Sequence, residues 1–253
     1  MKGPHSPVLR GVAVLLSVAT LAIFLDVGRT AAQQSSSEHV IGATSPVRWE
    51  WGGELVQAKA VGQFAEYVSG GGGFGISGIR YFGEGTGFSL RLDLTLISYG
   101  KTTESARLVL TGTGLDVDIT TENVIAALAV GPYFVFGRGR VRPYLGASVG
   151  SAQFVTTNSA WAGGQAVPIA TTEVLERYAL ALAAGGGVRL TFRGQRVHPI
   201  SLELDGRYRR HGSVQYLREG GLRELPDGSI DLDLISSDAN LWVVSIGALI
   251  AVR

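Results

Sequence analysis

Phe88-Ser89-Leu90-Arg91-Leu92-Asp93-Leu94-Thr95-Leu96 alternates without exception, each apolar residue being followed by a polar or charged one. A helix would spread Ser89, Arg91, Asp93 and Thr95 around its circumference. A strand places all four on one face and the apolar residues on the other. The pattern therefore predicts a strand with one wet and one apolar side. The same alternation runs through Tyr178, Leu180, Leu182, Ala184, Gly186, Val188, Leu190 and Phe192, set against Arg177, Arg189, Thr191 and Arg193. It returns in Ile200, Leu202 and Leu204, set against Ser201, Glu203, Asp205, Arg207 and Arg209.

Weaker alternation predicts further strands at Arg48 to Ala58, Gly73 to Phe82, Glu122 to Phe136, Val141 to Thr156 and Asn240 to Val252, for a total of eight. Several of these runs exceed the mean globular strand of roughly 5–6 residues and reach the ~9–11 residues that a tilted strand needs to cross a bilayer. The connections alternate in length. Gly83 to Thr86, Gly137 to Arg140 and Arg193 to His198 are short, and the segments near 59–72, 100–121, 157–173 and 212–237 are long. Outer-membrane barrels alternate short periplasmic turns with long extracellular loops in this way. Two long connections keep their own alternation, around Thr111-Gly112-Thr113-Gly114 and around Pro226-Asp227-Gly228, and are expected to project as hairpins. Trp49, Trp51, Phe88, Tyr99, Phe134, Phe136, Tyr178, Phe192 and Trp242 stand towards strand ends, where interfacial girdles form.

Apolar residues make up 45% of the 253 and charged residues 17%, which is too apolar for a disordered chain. The 36 glycines, several inside apolar runs, count against long helices. With no cysteine, disulfide frameworks, thiolate nucleophiles and Cys-ligated metals are all excluded. Residues 1–32 are expected to be a cleavable signal peptide. Lys2 and Arg10 precede the apolar run Val12 to Leu25, and Thr30-Ala31-Ala32 supplies small residues for cleavage. Residues 33–46, polar and rich in serine, are expected to form a disordered linker, and residues 47–253 the barrel domain. No other run approaches 18 apolar residues, so a membrane-spanning mature chain would have to be a barrel. Without Lys2, Arg10, Arg29 and Asp26, acidic side chains slightly outnumber basic ones, which leaves no electrostatic footprint for nucleic acid. Alternation by itself also fits an inverted, lipocalin-type soluble barrel. The export signal and the turn and loop asymmetry favour the membrane.

Four further groups of residues carry a resemblance: Gly62-Gln63-Phe64-Ala65-Glu66-Tyr67-Val68 before a glycine-rich strand, Leu90-Arg91-Leu92-Asp93-Leu94, Arg142-Pro143-Tyr144, and Tyr208 through Tyr216-Leu217-Arg218-Glu219-Gly220 to Pro226-Asp227-Gly228-Ser229. In these the chain resembles outer-membrane β-barrel domain proteins of the broad OmpA and OmpX type, over nearly all of the mature length. The resemblance implies an all-β, eight-stranded antiparallel transmembrane barrel in the outer membrane and names no catalytic residue. Such proteins commonly end in an aromatic residue used in assembly, whereas this sequence ends Ile250-Ala251-Val252-Arg253.

Strand parity collects Glu50, Glu54, Arg91, Asp93, Arg177, Arg189, Glu203, Asp205, Arg207 and Arg209 on the inward face. An eight-stranded barrel is just wide enough for its side chains to fill it, so these charges are expected to pair across the lumen as a structural network. Glu203 with Asp205 could mimic a carboxylate dyad, but every polar strand face offers such pairs. His211 and Ser213, with Glu219 or Glu224 downstream, are similar to the His and Ser of outer-membrane lipid A deacylases; Val214 stands where those enzymes have Asn. Two residues at i and i+2 share a strand face, so an enzyme using this pair is one alternative and a narrow channel is another. Gly70 to Gly73 lacks the Gly-Lys-Ser/Thr ending and the helix of a phosphate cradle. Gly185-Gly186-Gly187 is read as allowing close packing or curvature. Asp116 with Asp118, and Asp231 with Asp233, could bind a hard cation, but such sites need more convergent ligands, and a solvated strand face is the preferred reading. The expected function is a non-enzymatic structural or surface-recognition barrel without a cofactor. Its partners would be outer-membrane lipids and lipopolysaccharide and an extracellular partner met by the loops, and it would act as a monomer.

Overall fold

The computed structural model describes residues 49–82, 88–110, 113–137, 139–162, 168, 170–192, 199–224 and 230–252. The expected signal peptide and linker (1–46), the turns expected at 83–86 and 193–198, residues 225–229 and Arg253 lie outside the described residues. The strands are β1 (Trp49–Val61), β2 (Gly70–Tyr81), β3 (Phe88–Leu110), β4 (Thr113–Val135), β5 (Val141–Ala162), β6 (Ala170–Phe192), β7 (Ile200–His211), β8 (Ser213–Glu224), β9 (Ile230–Asp238) and β10 (Asn240–Val252). Eight of them close an antiparallel barrel in the order β1-β10-β7-β6-β5-β4-β3-β2, as the alternation predicts. β8 and β9 pair only with each other. Closure comes from β1 lying against β10, from Trp49 opposite Val252 to Val61 opposite Asn240.

The wall is apolar outside and charged inside. On β7, Leu202 and Leu204 are exposed while Glu203, Asp205, Arg207 and Arg209 are buried. On β3, Leu90 is exposed beside buried Arg91 and Asp93. This polarity is the reverse of a lipocalin-type barrel, whose apolar side chains face inward. The outward apolar surface includes Leu55, Phe74, Leu145, Leu180, Val244 and Ile246. No described helix is long and apolar enough to cross a membrane, a fact that bears only on helices.

Three features differ from the sequence reading. The segment expected as a loop at 157–173 is largely strand, because β5 and β6 continue their ladder to Ala160 opposite Ala170 after a register shift at Thr156/Thr157. β-Branched residues such as Thr156, Thr157 and Thr171 suit this extended ladder. β3 runs on to Leu110 after losing its β2 partner at Tyr99, and β4 pairs with it down from Thr113, so the expected β3–β4 hairpin is a direct prolongation of the wall. Within the connection at 59–72, Gly62–Glu66 forms a 3₁₀ turn that brings Phe64 to 0% exposure.

The triple glycine on β6 has a steric cause. A Cβ on Gly187 would stand 1.9 Å from the Leu204 carbonyl oxygen and 2.8 Å from the Tyr144 hydroxyl, and one on Gly185 would stand 2.2 Å from the Gly206 carbonyl oxygen and 2.8 Å from the Arg207 Cγ. Only glycine lets β7 approach this closely while Tyr144 and Arg207 cross the lumen.

Leu204 lies 57% exposed near the middle of β7, so Leu204→Arg places a charge on the hydrocarbon side at a cost of about 2–4 kcal/mol at the midplane. The yield of folded barrel, measured by heat-dependent gel mobility, is expected to drop. An unchanged yield would contradict an exterior facing lipid.

Candidate functional site

The inward faces of β1, β3, β6 and β7 bring their charges to one level of the barrel. Arg91 Nε donates to Asp93 Oδ1 at 2.7 Å, its Nη1 to Glu203 Oε2 at 2.7 Å and its Nη2 to Glu54 Oε2 at 3.3 Å. Arg189, with 0% side-chain exposure, donates from Nη2 to Glu203 Oε1 at 2.7 Å and from Nη1 to Glu50 Oε2 at 2.5 Å. Arg207 donates from Nη1 to Asp93 Oδ2 at 2.8 Å and from Nη2 to Asp205 Oδ2 at 2.9 Å. Arg209 stands one step higher, its Nη2 donating to Thr95 Oγ1 at 3.0 Å. All the expected lumen residues except Arg177 are thus brought together. Arg177 has the inward parity but lies above the level where the barrel is filled, exposed, with Nη1 donating to the Glu176 carbonyl oxygen at 2.8 Å.

Sequence reasoning missed the neutral donors that complete the network. Tyr133 donates to Glu203 Oε1 at 2.6 Å, Tyr144 to Asp205 Oδ2 at 2.7 Å, Tyr81 to Glu50 Oε2 at 2.8 Å and Ser245 to Glu54 Oε2 at 3.0 Å. The guanidinium groups of Arg91 and Arg189 also lie over the Tyr133 ring, at 5.6 and 5.4 Å from its centroid. Parity is the signal that could have found them, since Tyr133 and Tyr144 occupy inward positions of β4 and β5. Small inward residues on the facing wall, among them Ala129, Gly131, Ser148 and Ala183, leave room for the long arginine stems. Cavities of about 20 and 10 Å³ remain beside Arg207, each with space for about one water or less.

Above the charges the interior turns apolar. Phe64 meets Tyr216 edge-on at 4.9 Å and Tyr99 at 5.6 Å between ring centroids, and Tyr99 and His211 each meet Phe154. Val56, Ala58, Ile97, Ile125, Leu241 and Val243 pack around these rings. Tyr99, expected in an interfacial girdle, is instead 3% exposed inside the mouth, because its position on β3 has the inward parity. The remaining expected girdle residues lie on the exposed or half-exposed exterior. β8 leans across the opening against β3, β5 and β6. Tyr216 hydrogen-bonds Ser237 at 2.7 Å, and burial pushes its hydroxyl pKa up.

The geometry separates His211 from Ser213. His211 is 1% exposed, and its Nδ1–H donates to the Ala239 carbonyl oxygen at 2.5 Å. Ser213 is exposed, on the far side of Gly212, where β7 ends. The i, i+2 rule fails because the two residues belong to different strands in different sheets. The Phe154 ring meets the His211 ring edge-on at 5.6 Å, and Ala181, Arg207 and Arg209 line the small cavity beside it. Asp118 accepts from Ser105 Oγ at 2.6 Å, and the side chains of Asp116, Asp231 and Asp233 are outside the described set. Among the described residues no group of three His, Cys, Asp or Glu is placed to hold a metal ion.

No family model matches the sequence, and no curated relative does. Among solved structures the chain is similar to Ail, the attachment invasion locus protein of Yersinia pestis, at 13% identity and a TM-score of 0.41, over 82% of this chain and 99% of that one. It is also similar to Neisserial surface protein A at 15% identity and a TM-score of 0.36, over 81% of this chain and 96% of that one. A major outer membrane protein from Thermus thermophilus is similar at 12% identity and a TM-score of 0.43, over 81% of this chain and 99% of that one.

Arg189→Met leaves Glu50 and Glu203 each short of a buried cation and is expected to cost about 3–5 kcal/mol. Arg177→Met, at an exposed position, is expected to stay within about 0.5 kcal/mol. Urea unfolding in detergent micelles reads both. Equal effects would show that the ion pairs carry no special share of the stability.

Proposed function

We propose that the chain is a non-enzymatic outer-membrane barrel. In this reading it is a monomer that presents the prolonged β3–β6 wall and the β8–β9 hairpin to the outside, as a structural or adhesive surface. The observation that carries the reading is an interior occupied at both levels, by ion pairs below and aromatic rings above, beneath a sheet that continues past the apolar belt. A lumen filled in this way has no room for substrate or for a hydrated ion stream. What is left to meet a partner is the outer sheet. The apolar exterior supports a lipid environment, with lipopolysaccharide and other outer-membrane lipids as neighbours. The lipid A deacylase alternative loses its support with the separation of His211 from Ser213, and the channel alternative with the aromatic closure of the mouth.

Fractionation of expressing cells tests the location: the protein is expected in the outer membrane, with a gel mobility that changes on boiling. Recovery in the soluble fraction would end the proposal. In planar bilayers the purified barrel is expected to give no large steady conductance. With lipopolysaccharide in micelles it is expected to release no fatty acid, and Ser213→Ala to behave as wild type. Fatty-acid release abolished by that substitution would restore the enzyme reading.

A further inference from the structure

At the upper limit of the apolar belt the exterior is not the same all the way round. On one side Lys59 of β1 stands opposite Trp242 of β10, which stands opposite Tyr208 of β7. The Trp242 and Tyr208 rings meet edge-on at 5.5 Å, and Trp242 is half-exposed. Arg210 follows two residues beyond Tyr208 on the same outward face, its side chain 64% exposed and 3.9 Å from Asp238. An exposed pair at that distance holds the guanidinium weakly. Adjacent strands lie about 4.8 Å apart and residues rise about 3.3 Å along a strand, so the Lys59 and Arg210 backbones flank the aromatic pair roughly 12 Å apart. Below them the outward residues are Val244, Ile246 and Leu204, all apolar and exposed.

The opposite side carries carboxylates higher up, on its prolonged strands. Glu122 of β4 accepts from Ser98 Oγ at 3.1 Å and lies opposite Lys101 in register. Glu176 of β6 accepts from the Tyr178 hydroxyl at 2.6 Å and from Gln153 Nε2, with Arg177 next in sequence. Among the described residues, Lys101 there has an acid beside it on the outward face. On the β1–β10–β7 side the acids, Asp238 and Glu66, lie on β9 and the 3₁₀ turn, off the outward wall.

We propose that this β1–β10–β7 rim is a docking site for the phosphate-bearing headgroup of an outer-leaflet glycolipid. The inference rests on the membrane reading above and names the lipid chemistry that one sector of the wall selects. The aromatic pair sits where headgroup meets acyl chain. The two cations reach into the headgroup layer and take the phosphate by charge-assisted hydrogen bonds. On the opposite side the carboxylates offset the cations, so the phosphate is drawn to the β1–β10–β7 side of the barrel.

Native mass spectrometry of the barrel released from nanodiscs tests this with diphosphoryl lipid A and the same lipid stripped of its phosphates. The wild-type barrel is expected to retain the diphosphoryl form and lose the dephosphorylated one. Lys59→Gln with Arg210→Gln is expected to lower retention about thirtyfold, as two juxtamembrane cations predict, while Glu122→Gln lowers it not at all. Both lipids held equally by the wild type, or full retention by the double variant, would overturn the proposal. The wild-type comparison depends on no variant's folding, and heat-modifiable mobility of every sample confirms a barrel. Failure of the membrane reading shows separately, as a protein that does not enter nanodiscs.

Discussion

A wall facing hydrocarbon has no water to satisfy its amides, so its hydrogen-bond ladder must return to its own beginning. Here the return is β1 against β10, from Trp49 opposite Val252 to Val61 opposite Asn240. Closure at eight strands fixes the width of the interior and gives each residue a permanent side. Because the width admits only side chains, every charge turned inward needs a partner within reach of another strand. Arg91 finds Glu203 across 112 residues of sequence, and Arg207 finds Asp93 across 114.

The same network guards the register. Shifting one strand by a single residue would turn its inward charges to lipid and its leucines to the lumen. Glu203 alone is held by Arg91, Arg189 and Tyr133, which belong to three other strands, so a slip in β7 would break contacts with β3, β6 and β4 together. Buried ion pairs are weak evidence for stability, but here their loss would be coupled to exposure of charge on the wrong face.

What can be read from the sequence follows from the range of each signal. The faces of Arg91, Asp93, Glu203 and Asp205 are legible because a period of two needs only immediate neighbours. Pairing across the lumen is not, since it depends on strand tilt and stagger. Arg177 has the right parity at the wrong height. Tyr99 stands near the end of a sequence run and so suggests an interfacial ring, although its parity points inward. Tyr133 and Tyr144 follow Pro132 and Pro143, and glycines dilute the alternation around them. Phe64 sits in a connection whose local sequence carries no strand or helix signal, and only the barrel mouth explains its burial. His211 and Ser213 share a face only if the strand continues through Gly212, and Gly212 is a strand boundary.

β7 pairs directly with β10, so the β8–β9 hairpin between them in sequence contributes no strand to the barrel. Its two ends are drawn together where His211 Nδ1–H meets the Ala239 carbonyl oxygen, which makes the insert a closed excursion from the wall. The backbone ladder that holds the protein in the bilayer is therefore indifferent to what the hairpin carries, apart from Val214 and Tyr216 at its base. Beyond that base, residues of the hairpin can be exchanged or inserted without disturbing the register of the wall beneath it.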